Sequence, residues 1–144
     1  MELKFDKDKI TKLSSEIFAA LERLKEISAL PKGAFLADPY KIAAAKYFLV
    51  ISTEAAIDMC NHVISRNRLR APEDYADTFR IMGEVGAFEE DFVDRASKMA
   101  RFRNRLVHIY WEVDDETVCS MLSDHVNDMQ KFTERFMAFL SGRS

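Results

Sequence analysis

The sequence contains few of the residues that interrupt regular structure. Only 4 glycines and 3 prolines occur among 144 residues, and they stand between segments whose apolar residues recur at helical spacing. No segment alternates apolar and polar residues as a half-buried strand does, and no internal repeat is present. The sequence therefore predicts an all-α protein, a four- to five-helix bundle formed by a single domain that spans residues 1–144.

Cysteines and long apolar runs are also scarce. Cys60 and Cys119 lie far apart without Cys-x-x-Cys spacing, which argues against a zinc site or a disulfide framework and suits a reducing compartment. No apolar run approaches the roughly 20 residues that a membrane-spanning helix needs, and the first residues do not resemble a signal peptide. We therefore expect a cytoplasmic protein without a membrane partner.

The chain also lacks an excess of positive charge. It has 21 basic and 24 acidic residues and a net charge of −3 at pH 7. A protein that grips nucleic acid along its whole surface is usually basic, so any RNA contact must be local.

A basic run without acidic residues can either steer RNA toward a site or form a solvated helix end that the helix dipole stabilises. Its members are Arg95, Lys98, Arg101, Arg103 and Arg105.

Capping residues divide the helical pattern into segments. Asp38 followed by Pro39 predicts the start of a helix that runs to about Asn67. The first part of this helix, IAAAKYFLVI, is apolar on almost all sides, which places it at the centre of the fold or against another subunit. Gly83 is expected to cap a short helix over residues 73–82. Another predicted helix covers residues 7–29, and a further one starts near Glu89 and ends among Arg101 to Arg105. Asp114 and Asp115 can cap a last helix. Its apolar seam is formed by Val118, Leu122, His125, Met129, Phe132, Phe136 and Phe139.

Arg103 is the residue that does not fit its surroundings. At 100° per residue it shares one direction with the apolar residues Phe92, Ala96, Met99 and Leu106. A guanidinium in an apolar stripe is costly unless it is paired or reaches a wet cleft. An ion pair with an acidic residue of a neighbouring helix and a functional role explain its position equally well.

His108 lies five residues after Arg103 and four after Asn104. On a continuous helix Asn104 and His108 share a face, but Arg103 and His108 point about 140° apart. Either the helix ends between Arg103 and His108, or another element completes the site. We favour a two-fold dimer formed along this helix and the apolar second helix, because it brings two copies of the motif to one cleft.

These side chains suit RNA cleavage without a metal or a cofactor. The reaction needs a base for the 2′-hydroxyl, an acid for the leaving oxygen and positive charge at the phosphate. His108 can transfer protons near neutral pH, Arg103 can clamp the phosphate, and Asn104 can orient His108 or the scissile group. We therefore assign Arg103, His108 and Asn104 as the candidate catalytic residues.

Other polar residues have less specific interpretations. Glu54, Asp58 and His62 recur every four residues, but ligands along one helix drift apart, so a metal site is not expected. Asp58 is a candidate support for Arg103, and a simple polar stripe explains it equally well.

His125 lies in an apolar seam, where a histidine is usually a hydrogen-bonded core residue. Tyr110 and Trp111 can stack on a base, although packing explains Trp111 equally well, and Arg66, Arg68 and Arg70 are interpreted as surface charges.

The stretch RFRNRLVHIYWEVDDETV resembles the HepT-like branch of the HEPN superfamily. The signature of that branch is arginine, four residues, histidine, one residue and tyrosine, which matches Arg103, His108 and Tyr110. Asn104 occupies the polar position that usually follows the arginine. The segments YFLVISTEAAIDMCNHVISR and APEDYADTFRIMGEVGAF also resemble helices of the family. The likeness covers most of the chain and is least specific before about Asp38.

This resemblance implies a function and a partner. HepT-like proteins are homodimeric helical ribonuclease toxins of bacterial toxin–antitoxin systems, with arginine and histidine from both subunits at the dimer cleft. They are typically encoded beside a minimal nucleotidyltransferase antitoxin of the MNT type. That antitoxin is understood to neutralise the toxin by transferring AMP from ATP to the motif tyrosine, here Tyr110. Assembly of the dimer with the antitoxin into a hetero-oligomer is a further option.

Two other functions compete with this one. The chain can be a non-catalytic helical module that docks a nucleotidyltransferase or binds nucleotides and RNA without cutting. It can also be a purely structural bundle, in which an internal ion pair alone accounts for Arg103. The intact motif favours the ribonuclease, and RNA is then the expected substrate.

Overall fold

The computed structural model describes residues 2–142, which form helices around one core. These residues contain no strand, so the predicted all-α fold is confirmed. Five helices have ten or more residues, and a sixth, α2, has five. The helices are α1 (Lys7–Ser28), α2 (Lys32–Leu36), α3 (Pro39–Arg66), α4 (Tyr75–Glu84), α5 (Glu90–His108) and α6 (Asp115–Leu140), with a 3-10 turn at Tyr110–Glu112. Within residues 2–142, no helix combines the length and apolar content needed to cross a membrane.

Helix α3 is the central element, as its apolar sequence predicts. It contacts α1, α2, α4, α5 and α6. Ala56, Met59 and Cys60 on α3 are completely buried, and small side chains such as Ala56 allow neighbouring helices to approach closely. The first half of α3 is different, because Tyr40 is 85% exposed and Tyr47 is 60% exposed. One chain therefore leaves part of this apolar surface uncovered.

Two of the predicted helix starts are held by aspartate caps. The Asp38 carboxylate accepts hydrogen bonds from the backbone N–H groups of Tyr40 (3.0 Å) and Lys41 (3.2 Å). Asp114 accepts one from the backbone N–H of Thr117 at 2.7 Å. Each bond satisfies a donor that the first turn of a helix leaves without an intrahelical partner. The starts of α3 and α6 are therefore confirmed.

The prediction that Gly83 caps the short fourth helix is wrong. Helix α4 continues through Gly83 to Glu84, and Gly86, with φ of 92°, is the residue in the left-handed conformation. A Cβ at position 83 would lie 2.7 Å from Cγ2 of Val93 on α5. Gly83 therefore allows α4 and α5 to pack closely, whereas Gly86 turns the chain after α4.

Helices α5 and α6 are antiparallel neighbours joined by the 3-10 turn. The predicted end of α5 among Arg101 to Arg105 is too early, because the helix continues without a break to His108. This excludes a helix end between Arg103 and His108. On α6 the predicted seam is confirmed, with all seven side chains buried: Val118, Leu122, His125, Met129, Phe132, Phe136 and Phe139.

A charged network anchors α4 to the preceding loop. The buried Asp77 carboxylate accepts two hydrogen bonds from Arg70 (2.7 and 2.9 Å), one from the backbone N–H of Glu73 (3.0 Å) and one from Arg80 (3.2 Å). These bonds, those from Arg70 first, hold the pKa of Asp77 well below its usual range. Arg70, interpreted from the sequence as a surface charge, is thus part of a network that fixes the start of α4.

Candidate functional site

Arg103 lies in a polar niche between three helices. Its side chain is 12% exposed, and Nη2 and Nε both donate to Oε1 of Glu54 on α3, at 2.7 and 3.2 Å. Nη1 donates to the amide oxygen of Asn104 at 3.0 Å. The ring of Tyr75, the first residue of α4, lies 5.0 Å from the guanidinium carbon, a distance typical of a cation–π contact.

This environment accounts for only part of the hydrogen-bonding capacity of Arg103. A guanidinium has five N–H donors, and the three bonds to Glu54 and Asn104 leave two of them without a partner among residues 2–142. The side chain of Glu54 is 40% exposed, so water screens the attraction of its carboxylate for Arg103. The ion pair that the structural interpretation requires is therefore present, but it leaves Arg103 able to bind an anion.

The partner of Arg103 differs from the candidate suggested by the sequence. The sequence predicts Asp58 as a possible support for Arg103, yet the carboxylate that binds Arg103 is that of Glu54, one turn earlier on α3. Charged residues of α1 influence Asp58 instead: burial raises its pKa, Glu54 raises it further, and Lys9 of α1 opposes the shift. Asp58 therefore belongs to the boundary between α1 and α3.

The other motif residues lie at the exposed end of α5. His108 is the last residue of the helix and is exposed. Tyr110 begins the 3-10 turn and is 61% exposed, and its ring meets that of Trp111 edge-on at 5.4 Å. Trp111 is itself 68% exposed, so packing within one chain does not explain it. Because α5 is unbroken, His108 and Arg103 point in different directions, and one chain does not direct both at a common point.

His62 has a structural role in this chain. Its Nε2 accepts a hydrogen bond of 2.7 Å from the backbone N–H of Asp6, the residue that caps α1. Burial, followed by the nearby charges of Arg66 and Lys9, lowers the pKa of His62 and favours the neutral acceptor form. Among residues 2–142, no three His, Cys, Asp or Glu side chains are grouped so as to hold a metal ion.

His125 is confirmed as a hydrogen-bonded core residue. It is 5% exposed, and its Nε2 lies 2.8 Å from Oγ of Ser52 on α3. The hydroxyl oxygen of Ser52 lies 2.7 Å from the Phe48 carbonyl oxygen, which can only accept, so we assign the hydroxyl proton to that bond. The hydroxyl oxygen then accepts from His125, and we assign Nε2 as the donor. Burial lowers the pKa of His125 to about 4.

This buried histidine predicts a loss of stability in mild acid. The unfolded chain binds a proton at His125 near pH 6.5, whereas the folded chain resists protonation until about pH 4. The contribution of His125 is therefore present above pH 6.5 and is lost as the pH falls toward 4, by about 3 kcal/mol in the free energy of unfolding.

Urea denaturation over this pH range measures the effect, with the double variant Ser52→Ala, His125→Leu as the control. Removing both partners leaves no buried polar group unpaired. The pH dependence of the double variant should be flatter than that of the wild type. Equal slopes for the two proteins would show that His125 is not responsible.

Comparison with known proteins identifies the family. A model of the ribonuclease HepT-like family matches residues 17–136, which confirms the resemblance to that family. The chain is 28% identical to the mRNA nuclease HepT of Shewanella oneidensis over 81 residues. That match covers 56% of this chain and 61% of the relative, less than two thirds of its length.

Solved structures show the same fold. One is a tri-AMPylated Shewanella oneidensis HEPN toxin in complex with MNT antitoxin, with a TM-score of 0.84, 23% identity, and coverage of 92% of this chain and 99% of that one. Another is the cytosolic protein of unknown function YutE from Bacillus subtilis, with a TM-score of 0.82, 20% identity, and coverage of 97% and 94%. Since the family model covers most of the chain and the fold agrees with it, this protein belongs to the ribonuclease HepT-like family.

Proposed function

We propose that this protein is the toxin of a bacterial toxin–antitoxin pair, a metal-independent endoribonuclease that uses Arg103 and His108 at a homodimer cleft. The proposal rests on the hydrogen-bond donors of Arg103 that have no partner among residues 2–142. Two N–H groups of its guanidinium are such donors and are available to bind a phosphate. The curated relative named as an mRNA nuclease supports RNA as the substrate.

The chemistry follows from the two side chains. One imidazole removes the proton of the 2′-hydroxyl, whose oxygen attacks the adjacent phosphorus, and a protonated imidazole gives its proton to the leaving 5′-oxygen. Arg103 stabilises the negative charge that develops on the phosphoryl oxygens. The products are a 2′,3′-cyclic phosphate and a free 5′-hydroxyl. A dimer supplies two copies of His108, one as base and one as acid.

The surface beside Arg103 supports such a dimer. Tyr40, Tyr47 and Glu54 recur every seven residues on α3, so they share one face of the helix. Tyr40 and Tyr47 expose aromatic rings, and Glu54 contacts Arg103. Val107, 39% exposed, adds apolar surface near the end of α5. A second copy packed on this face would cover these side chains and bring the two motifs together.

Tyr110 is the proposed site of neutralisation. Its exposed phenol is accessible to a nucleotidyltransferase of the MNT type, the partner of the AMPylated toxin with the same fold. The phenol oxygen attacks the α-phosphorus of ATP, the phenol proton is lost, and pyrophosphate leaves. The attached adenylate is bulky and anionic, and two residues from His108 it blocks the approach of a substrate phosphate.

Purified protein tests this function directly. Free of antitoxin, and shown by mass to be unmodified, the dimer should cleave single-stranded RNA in the presence of EDTA. The new ends should be 2′,3′-cyclic phosphates and 5′-hydroxyls. A folded, unmodified dimer that binds RNA without cutting it would contradict the ribonuclease and favour the non-catalytic binding module.

A further inference from the structure

A groove between α5 and α6 extends from the proposed catalytic arginine. Its volume is about 440 Å³, and Arg103 is one of its lining residues. On α5 the lining runs from Arg95 to Leu106, which at 1.5 Å per residue corresponds to about 16 Å. This volume lies in the range of small-molecule sites, which begins at about 300 Å³. The groove is therefore large enough for a nucleotide next to the scissile phosphate.

The groove has apolar walls and positively charged residues at its rim. Met99, Phe102 and Leu106 of α5 and Met121 of α6 give it apolar sides. Aromatic and apolar side chains are the surfaces on which unstacked RNA bases pack. The rim carries three further cations, Arg95, Lys98 and Lys131. Arg95 is paired with Asp128 at 3.2 Å, whereas Lys98 and Lys131 are exposed and have no ion pair among residues 2–142.

His125 provides an open acceptor on the lining of the groove. Nε2 donates to Ser52, so the neutral ring has its lone pair on Nδ1. Nδ1 has no hydrogen-bond partner among residues 2–142, although the side chain is 95% buried and lines the groove. Asp124 and Asp128 add carboxylate oxygens along the same helix. A ligand that fits these acceptors must offer N–H donors.

We propose that the α5–α6 groove is a nucleotide subsite for the RNA substrate and takes a base with an exocyclic amine. The base lies between the apolar walls with its amine donated to Nδ1 of His125, and its phosphate lies toward Lys98 and Lys131. This inference rests on the proposed ribonuclease function and adds a base preference to it. Uracil, which has a single N–H donor and no amine, is the least suitable base.

Nucleotide binding tests the subsite independently of cleavage. AMP, CMP, GMP and UMP are titrated into the full-length protein and followed by NMR at groove residues. The amine-bearing nucleotides should shift signals of Met99, Met121 and His125, with UMP binding about tenfold more weakly, as expected for one lost hydrogen bond to a buried acceptor. Equal binding of all four nucleotides, or shifts that avoid the groove, would overturn the proposal.

Two sets of variants identify the contacts. Lys98→Glu and Lys131→Glu should each weaken RNA binding several-fold, measured in a His108→Ala background that leaves the RNA intact. The matched control is Lys12→Glu, the same charge reversal at an exposed residue of α1 outside the groove. The folded double variant Ser52→Ala, His125→Leu should lose the preference over UMP and keep the dependence on Lys98.

The two proposals fail in different ways. If the wild type cleaves RNA but the groove variants behave like Lys12→Glu and no nucleotide binds in the groove, the subsite is wrong and the ribonuclease stands. If the wild type does not cleave RNA while amine-bearing nucleotides bind the groove, the catalytic function is wrong and the binding site stands.

Discussion

His108→Ala is expected to lower the rate of RNA cleavage by about 10²- to 10⁴-fold, the range for loss of a general acid or base. Because each copy of His108 serves one role at the proposed cleft, one substitution removes both. The side chain is exposed at the last residue of α5, so its loss should leave the free energy of unfolding within about 0.5 kcal/mol of the wild type. Initial rates on a defined RNA measure the effect.

Added imidazole provides the control for the chemistry. It should restore part of the activity of the alanine variant if His108 transfers protons, and none if the substitution acts through folding or dimerisation. Growth arrest in cells that express this protein without an antitoxin should be lost in parallel. A variant that cleaves RNA at the wild-type rate would remove His108 from the mechanism.

Arg103→Ala is expected to reduce cleavage by about 10³-fold, because it removes the charge that stabilises the phosphoryl oxygens. The fold should tolerate the change, since Glu54 is 40% exposed and water can solvate its carboxylate. We expect a destabilisation of about 1 kcal/mol. Arg101→Ala, at an exposed position of the same helix, is the matched control and should keep most of the activity.

The same variant separates the functional interpretation from the structural one. If Arg103 serves only as an ion pair with Glu54, then Arg103→Ala and Glu54→Gln should change stability by similar amounts and leave RNA handling intact. A loss of cleavage confined to Arg103→Ala, with both proteins folded as dimers, excludes that interpretation. Arg103→Lys retains the charge but loses the paired donors, so its activity should lie between those of the wild type and alanine.

Local sequence signals predicted the parts of the fold that depend on neighbouring residues. Asp38 with Pro39, and Asp114, gave the starts of two helices because capping involves only the next three residues. The seam of α6 follows from a periodicity sustained over seven buried residues. Helix α2, with five residues, is too short to show a period. The prediction for Gly83 is wrong because the sequence alone does not distinguish a glycine that allows a neighbouring helix to pack closely from one that caps a helix.

The contacts in the candidate site depend on the relative positions of the helices, which the spacing of residues in the sequence does not indicate. Glu54 and Asp58 lie one turn apart on the same side of α3, and periodicity describes direction around a helix rather than position along it. Only the axial offset between α3 and α5 places Glu54, and not Asp58, next to Arg103. The contact of Tyr75 with Arg103 had no sequence signal, because an irregular loop precedes α4. The proposed acceptor role of His125 toward the groove depends on the tautomer of its ring, which the sequence does not indicate.

The exposed 3-10 turn has an optical consequence. Trp111 is the only tryptophan in the chain, and with its indole 68% exposed its emission should already resemble that of a solvated indole in the native protein. Unfolding by heat or urea should therefore change its emission little, and a fluorescence melt would under-report the transition. Trp111 is also an intrinsic reporter of binding at the turn, because its emission would move to shorter wavelength when a bound partner excludes water from the surface around Tyr110.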